Sequence, residues 1–240
     1  MILLFIQPLL YGAALLWEKA LFAAITVQAG YLLYRGVTLG RLPLVGLHDT
    51  LLFLSLSTAV LSIPFWVRIR PRKGFFRLTA VASLLFSLLG MLSRPSMMPL
   101  PPVLKTFWFE LHVVLSFLSY GLFGIAAVLG VIFLLNRDAA MGRMMESLQY
   151  RAVLTGYLLF SLSMIFGGIW AYFAWGSYWL WTPKELWTTL LWLTYTLYLH
   201  LRFRPYWRGA RIATIGIAGY GVVLFTYLGV GLLMKSSHSF

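Results

Sequence analysis

Apolar runs close to the ~20 residues a helix needs to cross a bilayer recur along this 240-residue chain, separated by short stretches that hold most of its charges. They place spans near 2–17, 20–36, 49–66, 75–93, 109–135, 151–174, 185–202 and 210–233. Helices satisfy their own backbone hydrogen bonds in hydrocarbon. The pattern therefore predicts an all-α integral membrane protein, a polytopic bundle of about eight transmembrane helices. The first boundary is soft, because Glu18 and Lys19 interrupt one long apolar run; a single tilted helix there would give seven spans. The stretch from Ser93 to Trp108 carries Pro95, Pro99, Pro101 and Pro102 and reads as a non-helical connection that could form a lid. No repeat, low-complexity tract or linker divides the chain, so a single domain over 1–240 is expected.

Composition supports the membrane assignment: 61% of residues are hydrophobic and 10% charged, more apolar surface than a soluble domain of this length buries. The first apolar stretch starts at Met1 without a basic segment or a small-residue cleavage site before Trp17 and is read as a retained span. A net charge of +13 raises the question of nucleic acid, and its distribution answers otherwise. With the C-terminus outside, Lys19, Arg68, Arg70, Arg72, Lys73, Arg77, Arg137, Arg143, Arg151, Arg202, Arg204, Arg208 and Arg211 all face the cytoplasm. Arg35, Arg41, Arg94, Lys105, Lys184 and Lys235 remain on the other side, the asymmetry of the positive-inside rule. Both termini then lie outside, and no nucleic-acid partner is expected.

The chemistry concentrates in one place. Six of the ten tryptophans fall between Trp170 and Trp192, in an outer segment containing Trp170, Trp175, Gly176, Tyr178, Trp179, Trp181 and Trp187. Such indoles either form an interfacial belt or make a platform for a large planar amphipathic ligand, and a belt scatters its tryptophans over many helix ends. Within that segment Thr182-Pro183-Lys184-Glu185 has the form of a capping box opening a helix. With zero cysteines, histidine is the main candidate soft metal ligand. His112 and His238 both fall on the outer face, and two imidazoles approaching an aromatic floor could ligate a haem iron axially; each could also simply solvate a helix end. His200 lies near the cytoplasmic end of its span. It is either a functional intramembrane group or a snorkelling residue at the negative end of the helix dipole, and a ligand role would require an opposite ligand from another subunit or none. His48, before Asp49, reads most simply as a polar helix start.

These residues resemble a known family, the cytochrome c biogenesis proteins of the CcsA or ResC type among the haem-handling membrane proteins. Gly168-Ile169-Trp170 and the run Trp175-Gly176-Ser177-Tyr178-Trp179-Leu180-Trp181-Thr182-Pro183-Lys184-Glu185-Leu186-Trp187 are similar to its tryptophan-rich WWD signature, WGSYWxWDPKExW. Further similarity lies in Gly40-Arg41-Leu42-Pro43-Leu44, Leu51 to Ser55, Leu111-His112-Val113, Tyr198-Leu199-His200 and the stretch from Leu228 to Phe240. The resemblance implies the membrane part of a system II cytochrome c synthase (haem lyase), in a bacterial cytoplasmic membrane or thylakoid equivalent. It implies haem transport to the outer face, where haem b is presented for attachment to a CxxCH apocytochrome c. It assigns His112 and His238 as outer axial ligands, Trp170 to Trp187 as the platform, and His200 as the ligand of haem in transit. A companion CcsB or ResB-like subunit would supply the partner of His200, and thiol-reducing proteins would serve the substrate.

Two positions depart from the family pattern: Thr182 replaces an aspartate, preserving a helix cap while removing a charge, and His48 replaces a tyrosine. Two alternatives remain at this stage. One is a CcmC-like haem transporter or chaperone, against which Pro183-Lys184-Glu185 follows the CcsA form. The other is a HemX-like regulatory protein with a degenerate haem site, favoured by Thr182 and opposed by the complete histidine set.

Overall fold

The computed structural model describes residues 2–70, 73–136 and 138–233. Among these residues there is helix and no strand, and eight α-helices fall on the eight expected runs: α1 (Ile2–Ala14), α2 (Ala20–Leu39), α3 (Leu47–Arg68), α4 (Lys73–Leu92), α5 (Phe107–Leu135), α6 (Ala139–Trp175), α7 (Pro183–Arg202) and α8 (Ala210–Leu224). The last continues through a π-helical turn, Phe225–Gly229, into Val230–Leu233. Six stretches, α2 to α6 and Ala210–Gly229, are long and apolar enough to cross a membrane. At 13 residues α1 is shorter than that, and α7, which begins Pro-Lys-Glu and ends His-Leu-Arg, falls outside the set. The chain breaks between α1 and α2 at Glu18 and Lys19, giving two helices rather than one tilted rod.

The chain divides into two compact units, Met1–Lys105 and Thr106–Phe240. In the first, α1 to α4 pack around a small-residue seam in which Tyr11, Ala14, Ala20, Leu21, Ala24, Ala59, Phe76 and Ala80 meet. Near the α2–α3 loop this unit buries an ion pair: Arg35 donates through Nε and Nη2 to the two oxygens of Asp49, at 3.0 and 2.8 Å. The same guanidinium donates to the Ser96 carbonyl at 3.1 Å and lies 3.3 Å from Met97 Sδ. The proline-rich segment after α4 is thereby pinned to α2, and apart from a short 3₁₀ turn at Pro102–Leu104 it is irregular, as expected of that many prolines. His48 stands in the first turn of α3, the polar helix start expected there, and does more than open the helix. It is buried, its Nδ1 donates to the Gly90 carbonyl at 2.8 Å, and its Nε2 takes the Tyr31 hydroxyl at 2.8 Å. It cross-links α2, α3 and α4, because an imidazole at that depth has no water to turn to.

In the second unit, α5 and α6 form a long hairpin. α6 runs for 37 residues, roughly 55 Å at 1.5 Å per residue, and starts at Ala139 rather than at the expected 151. Asp138 caps it, accepting from the backbone N–H of Ala140 at 2.7 Å and Met141 at 3.0 Å. The Met141 and then Ala140 N–H groups, with Arg143 nearby, hold its carboxyl below the usual carboxylate range. At the same end, Glu146 pairs with Arg202 of α7 at 3.2 Å and accepts the Gly209 N–H at 3.2 Å. Deeper in, the buried Gln149 amide donates to the carbonyls of Ala126 on α5 and Ala213 on α8, at 3.1 and 3.3 Å. This three-helix junction closes only because Gly130 and Gly216 carry no side chain; a Cβ on either would lie 2.5 Å from Gln149 Nε2.

Gly130→Ala would also bring its methyl to 3.1 Å from the Ala213 carbonyl, which belongs to a neighbouring helix backbone. Overpacking of this kind lowers stability by about 1–3 kcal/mol. A fall in the thermal unfolding midpoint of the purified protein is the expected outcome.

Candidate functional site

His112 stands on the second turn of α5, whose start is fixed by Thr106 accepting the Phe109 N–H at 3.2 Å. Its ring is half-buried against α6. Nδ1 donates to the Ser163 carbonyl at 2.9 Å and lies 3.1 Å from the Ser163 hydroxyl, which itself donates to the His112 carbonyl at 2.8 Å. The Ser116 hydroxyl completes the cluster, 2.6 Å from that of Ser163. Because the carbonyl accepts from Nδ1, the neutral ring presents Nε2 as the nitrogen able to bind a metal. One turn along α6, Gly167 leaves the room the ring needs: a Cβ there would come to 2.6 Å from His112 Nδ1.

The tryptophans do not form one flat floor. Trp170 is 4% exposed and lies nearly parallel to His112, at 6.5 Å between centroids and 14° between planes. Phe109 packs on it at 5.2 Å and Trp175 meets it edge-on at 4.8 Å. Trp187 is half-buried and reaches a different neighbour, Phe225 in the π-helical turn, at 4.3 Å. Trp192 lies deeper, its indole N–H donating to the Ser161 hydroxyl at 3.0 Å. Between these groups the segment 176–182 forms a rim. Gly176 ends α6 in the left-handed region at φ +72°, where glycine carries no Cβ penalty. Tyr178 folds back to stack on Tyr172 at 4.7 Å, Trp179 is half-buried, and Trp181 is 66% exposed.

Trp181 has φ +57° and is the one described non-glycine residue in the left-handed region, a conformation that costs of order 1–3 kcal/mol. Its neighbours explain how it is held. The buried Glu185 carboxylate accepts the N–H of Leu180 at 3.1 Å and of Thr182 at 2.8 Å, the two residues flanking Trp181. Thr182 Oγ1 in turn accepts the Glu185 N–H at 3.4 Å, so the expected capping box is present with threonine in place of the family aspartate. Lys184 beside it is half-buried at the loop end of α7, and desolvation pulls its ammonium below the ordinary lysine value.

His200 sits apart, exposed on the last turn of α7, with Nδ1 donating to the Thr196 carbonyl at 2.8 Å. Its Nε2 has no partner among the described residues. His238 lies outside the described residues. Sequence reasoning missed Ser163 and Gly167; the signal was their spacing of four, which puts a hydroxyl and a gap on one face of α6.

The family described as cytochrome c assembly protein matches residues 44–238, which takes in α3 to α8 and the whole tryptophan segment. The chain belongs to this family. Among relatives, the cytochrome c biogenesis protein CcsA of Chlamydomonas reinhardtii is 33% identical over 224 residues, covering 87% of this chain and 64% of that relative. CcsA of Guillardia theta is 30% identical over 259 residues, covering 93% and 84%. CcsA of Synechococcus sp. (strain RCC307) is 28% identical over 258 residues, covering 91% and 82%. The chain thus spans less than two thirds of the first of these. Membership of the cytochrome c assembly family and six helices long and apolar enough to span a bilayer mark an integral membrane protein of that family.

Glu185→Ala leaves the Leu180 and Thr182 N–H groups without their acceptor, a loss of about 1–3 kcal/mol; a lower unfolding midpoint and a red-shifted, more mobile tryptophan emission are expected, with Glu185→Gln losing less. Lys184→Met has the opposite sign. The folded-state lysine is depressed, so burial penalises its charged form below the folded pKa, and the penalty disappears as pH rises toward the ordinary value of about 10.4. Unfolding midpoints across pH should show Lys184→Met stabilised most near neutrality, with the gain shrinking in alkali.

Proposed function

We propose that this chain is the haem-presenting subunit of a cytochrome c synthase. The observation that carries the reading is the His112 imidazole, whose Nδ1 is committed to the Ser163 carbonyl beside the near-parallel face of Trp170. That arrangement fits a haem. Among the described residues no group of three or more His, Asp or Glu side chains gathers as for a bare metal ion, whereas a macrocycle brings four ligands and asks the protein only for axial ones. Ser163 fixes the tautomer and aim of the ring, and Gly167 admits it. His238 would supply the second protein ligand to the haem. Trp175, Trp179 and Trp181 supply apolar faces near the bound ring system, and Glu185 keeps their rim in shape.

Haem b, when bound, supplies the vinyl groups to which the substrate's CxxCH thiols add. The chain's own part is orientation, which removes much of the entropy cost of bringing two reactants together. Electrons and thiol reduction come from partner proteins, since the chain has no cysteine.

His200 is assigned to haem in transit. Its ring is exposed at the end of a stripe formed by Leu186, Leu190, Leu193 and Leu197, all exposed on α7. A stripe with spacings of four and three is a helix-packing face, and a CcsB or ResB-like subunit packed there would place the opposite ligand. Both termini and the tryptophan rim are assigned to the outer side, by the distribution of basic residues.

Visible spectroscopy of the purified protein from haem-replete cells tests the site. Wild type should carry low-spin haem, His112→Ala and His238→Ala should lose it from the outer site, and added imidazole should restore the His112→Ala spectrum. Gly167→Ala should fold yet bind haem at least tenfold more weakly. A wild type without haem, or a His112→Ala spectrum equal to wild type, would overturn the proposal. Co-expression with a CcsB-like partner and a CxxCH reporter then separates a synthase from a haem chaperone.

A further inference from the structure

Unit Met1–Lys105 contains a layer of polar side chains in the interior of its helices. Gln7 on α1, Gln28 on α2, Ser55 on α3, and Ser83 and Ser87 on α4 are all fully buried. The order of the layer follows from the seam next to it, where Tyr11 of α1 meets Ala24 of α2, Ala59 of α3 and Ala80 of α4. Neighbouring helices alternate in direction, so one turn beyond that seam come Gln7, Gln28, Ser55 and Ser83, with Ser87 a further turn on. Half of the layer is internally bonded. The Tyr11 hydroxyl donates to Gln28 Oε1, Gln28 Nε2 donates to the Leu52 carbonyl at 3.1 Å, and the Ser55 hydroxyl donates to the Ser83 carbonyl at 2.7 Å.

The other half is not. Both amide atoms of Gln7 and the hydroxyls of Ser83 and Ser87 are buried without a hydrogen-bond partner among the described residues. Helix serines and threonines usually donate to a carbonyl one turn back, as Ser57, Thr58, Ser62 and Thr79 do here. Ser83 and Ser87 make no such bond. Four unanswered polar atoms in one layer of a membrane protein are a strong indication of something that answers them.

We propose that this layer is an internal water site at hydrocarbon depth, with water bridging the Gln7 amide to the Ser83 and Ser87 hydroxyls. Its chemistry selects water over a cation. The donor set is neutral, and the nearest carboxylate toward the α2–α3 loop, Asp49, has both oxygens on Arg35. A metal ion there would face the full cost of an uncompensated charge, whereas a water needs only two to four polar partners. Toward the α2–α3 loop, the buried His48 and Tyr31 continue the file of polar side chains. The opposite end is closed by the alanine and phenylalanine seam.

The sign of a mutational effect tests this. In a dry layer, Gln7→Leu removes two unsatisfied atoms and raises the unfolding midpoint. In a hydrated one it removes the bridge and lowers the midpoint by several degrees, and it costs far less in a Ser83→Ala/Ser87→Ala background because the water is shared. An increase for Gln7→Leu, or strict additivity with the serine substitutions, would overturn the proposal. X-ray radiolytic footprinting of the wild type in nanodiscs gives a second measurement that needs no variant to fold. Tyr11 should be oxidised several-fold faster than the equally buried Phe75 and Phe76, and equal protection of all three would also overturn it.

Discussion

Below the surface of these helices a polar group has no solvent to turn to, and most of the specific structure follows from the partners such groups find. The Gln149 amide finds carbonyls on two other helices and so fixes where α5, α6 and α8 converge. Arg35 finds both oxygens of Asp49 and, with what remains of its fork, the backbone of the segment after α4. Removing one member of such a buried pair costs about 3–5 kcal/mol, because the other is left as an uncompensated charge. Apolar contact holds helices together; these few directional bonds decide at which register.

The same constraint shapes the candidate site. His112 is aimed by a carbonyl of α6, and the space it fills is a glycine-sized gap in that helix. The tryptophan rim contains a backbone conformation that is unfavourable alone and persists because one carboxylate accepts the N–H groups on both sides of it. Glu185 therefore does two things with one group, capping α7 and shaping the loop before it. A threonine at the cap position suffices for the first task, since the side chain needs only an oxygen at the right distance.

The helices and the capping box were legible in the sequence because both depend on local pattern: runs of apolar residues long enough to span, and Thr182 three residues before Glu185. The break at Glu18 and Lys19 was legible as a conflict between two charges and a continuous run, and the charges won. Other features depend on residues distant in the chain and leave no local trace. The burial of His48 requires Tyr31 and Gly90 to come to it from two other helices. The division of the tryptophans between Trp170 against His112, Trp187 against Phe225, and an exposed Trp181 is set by tertiary packing, so their density along the chain suggested a floor that is in fact a wall, a corner and a rim. The left-handed backbone at Trp181 was hidden for the same reason, as indole gives no sign of favouring it.

α6 carries Glu146 near one end, bonded to Arg202 and to the start of α8, and Ser163, Gly167 and Trp170 near the other. No proline interrupts its 37 residues. A continuous helix is stiff along its axis, so the end of α7 and the carbonyl that bonds His112 Nδ1 are held at a fixed separation by one and the same element.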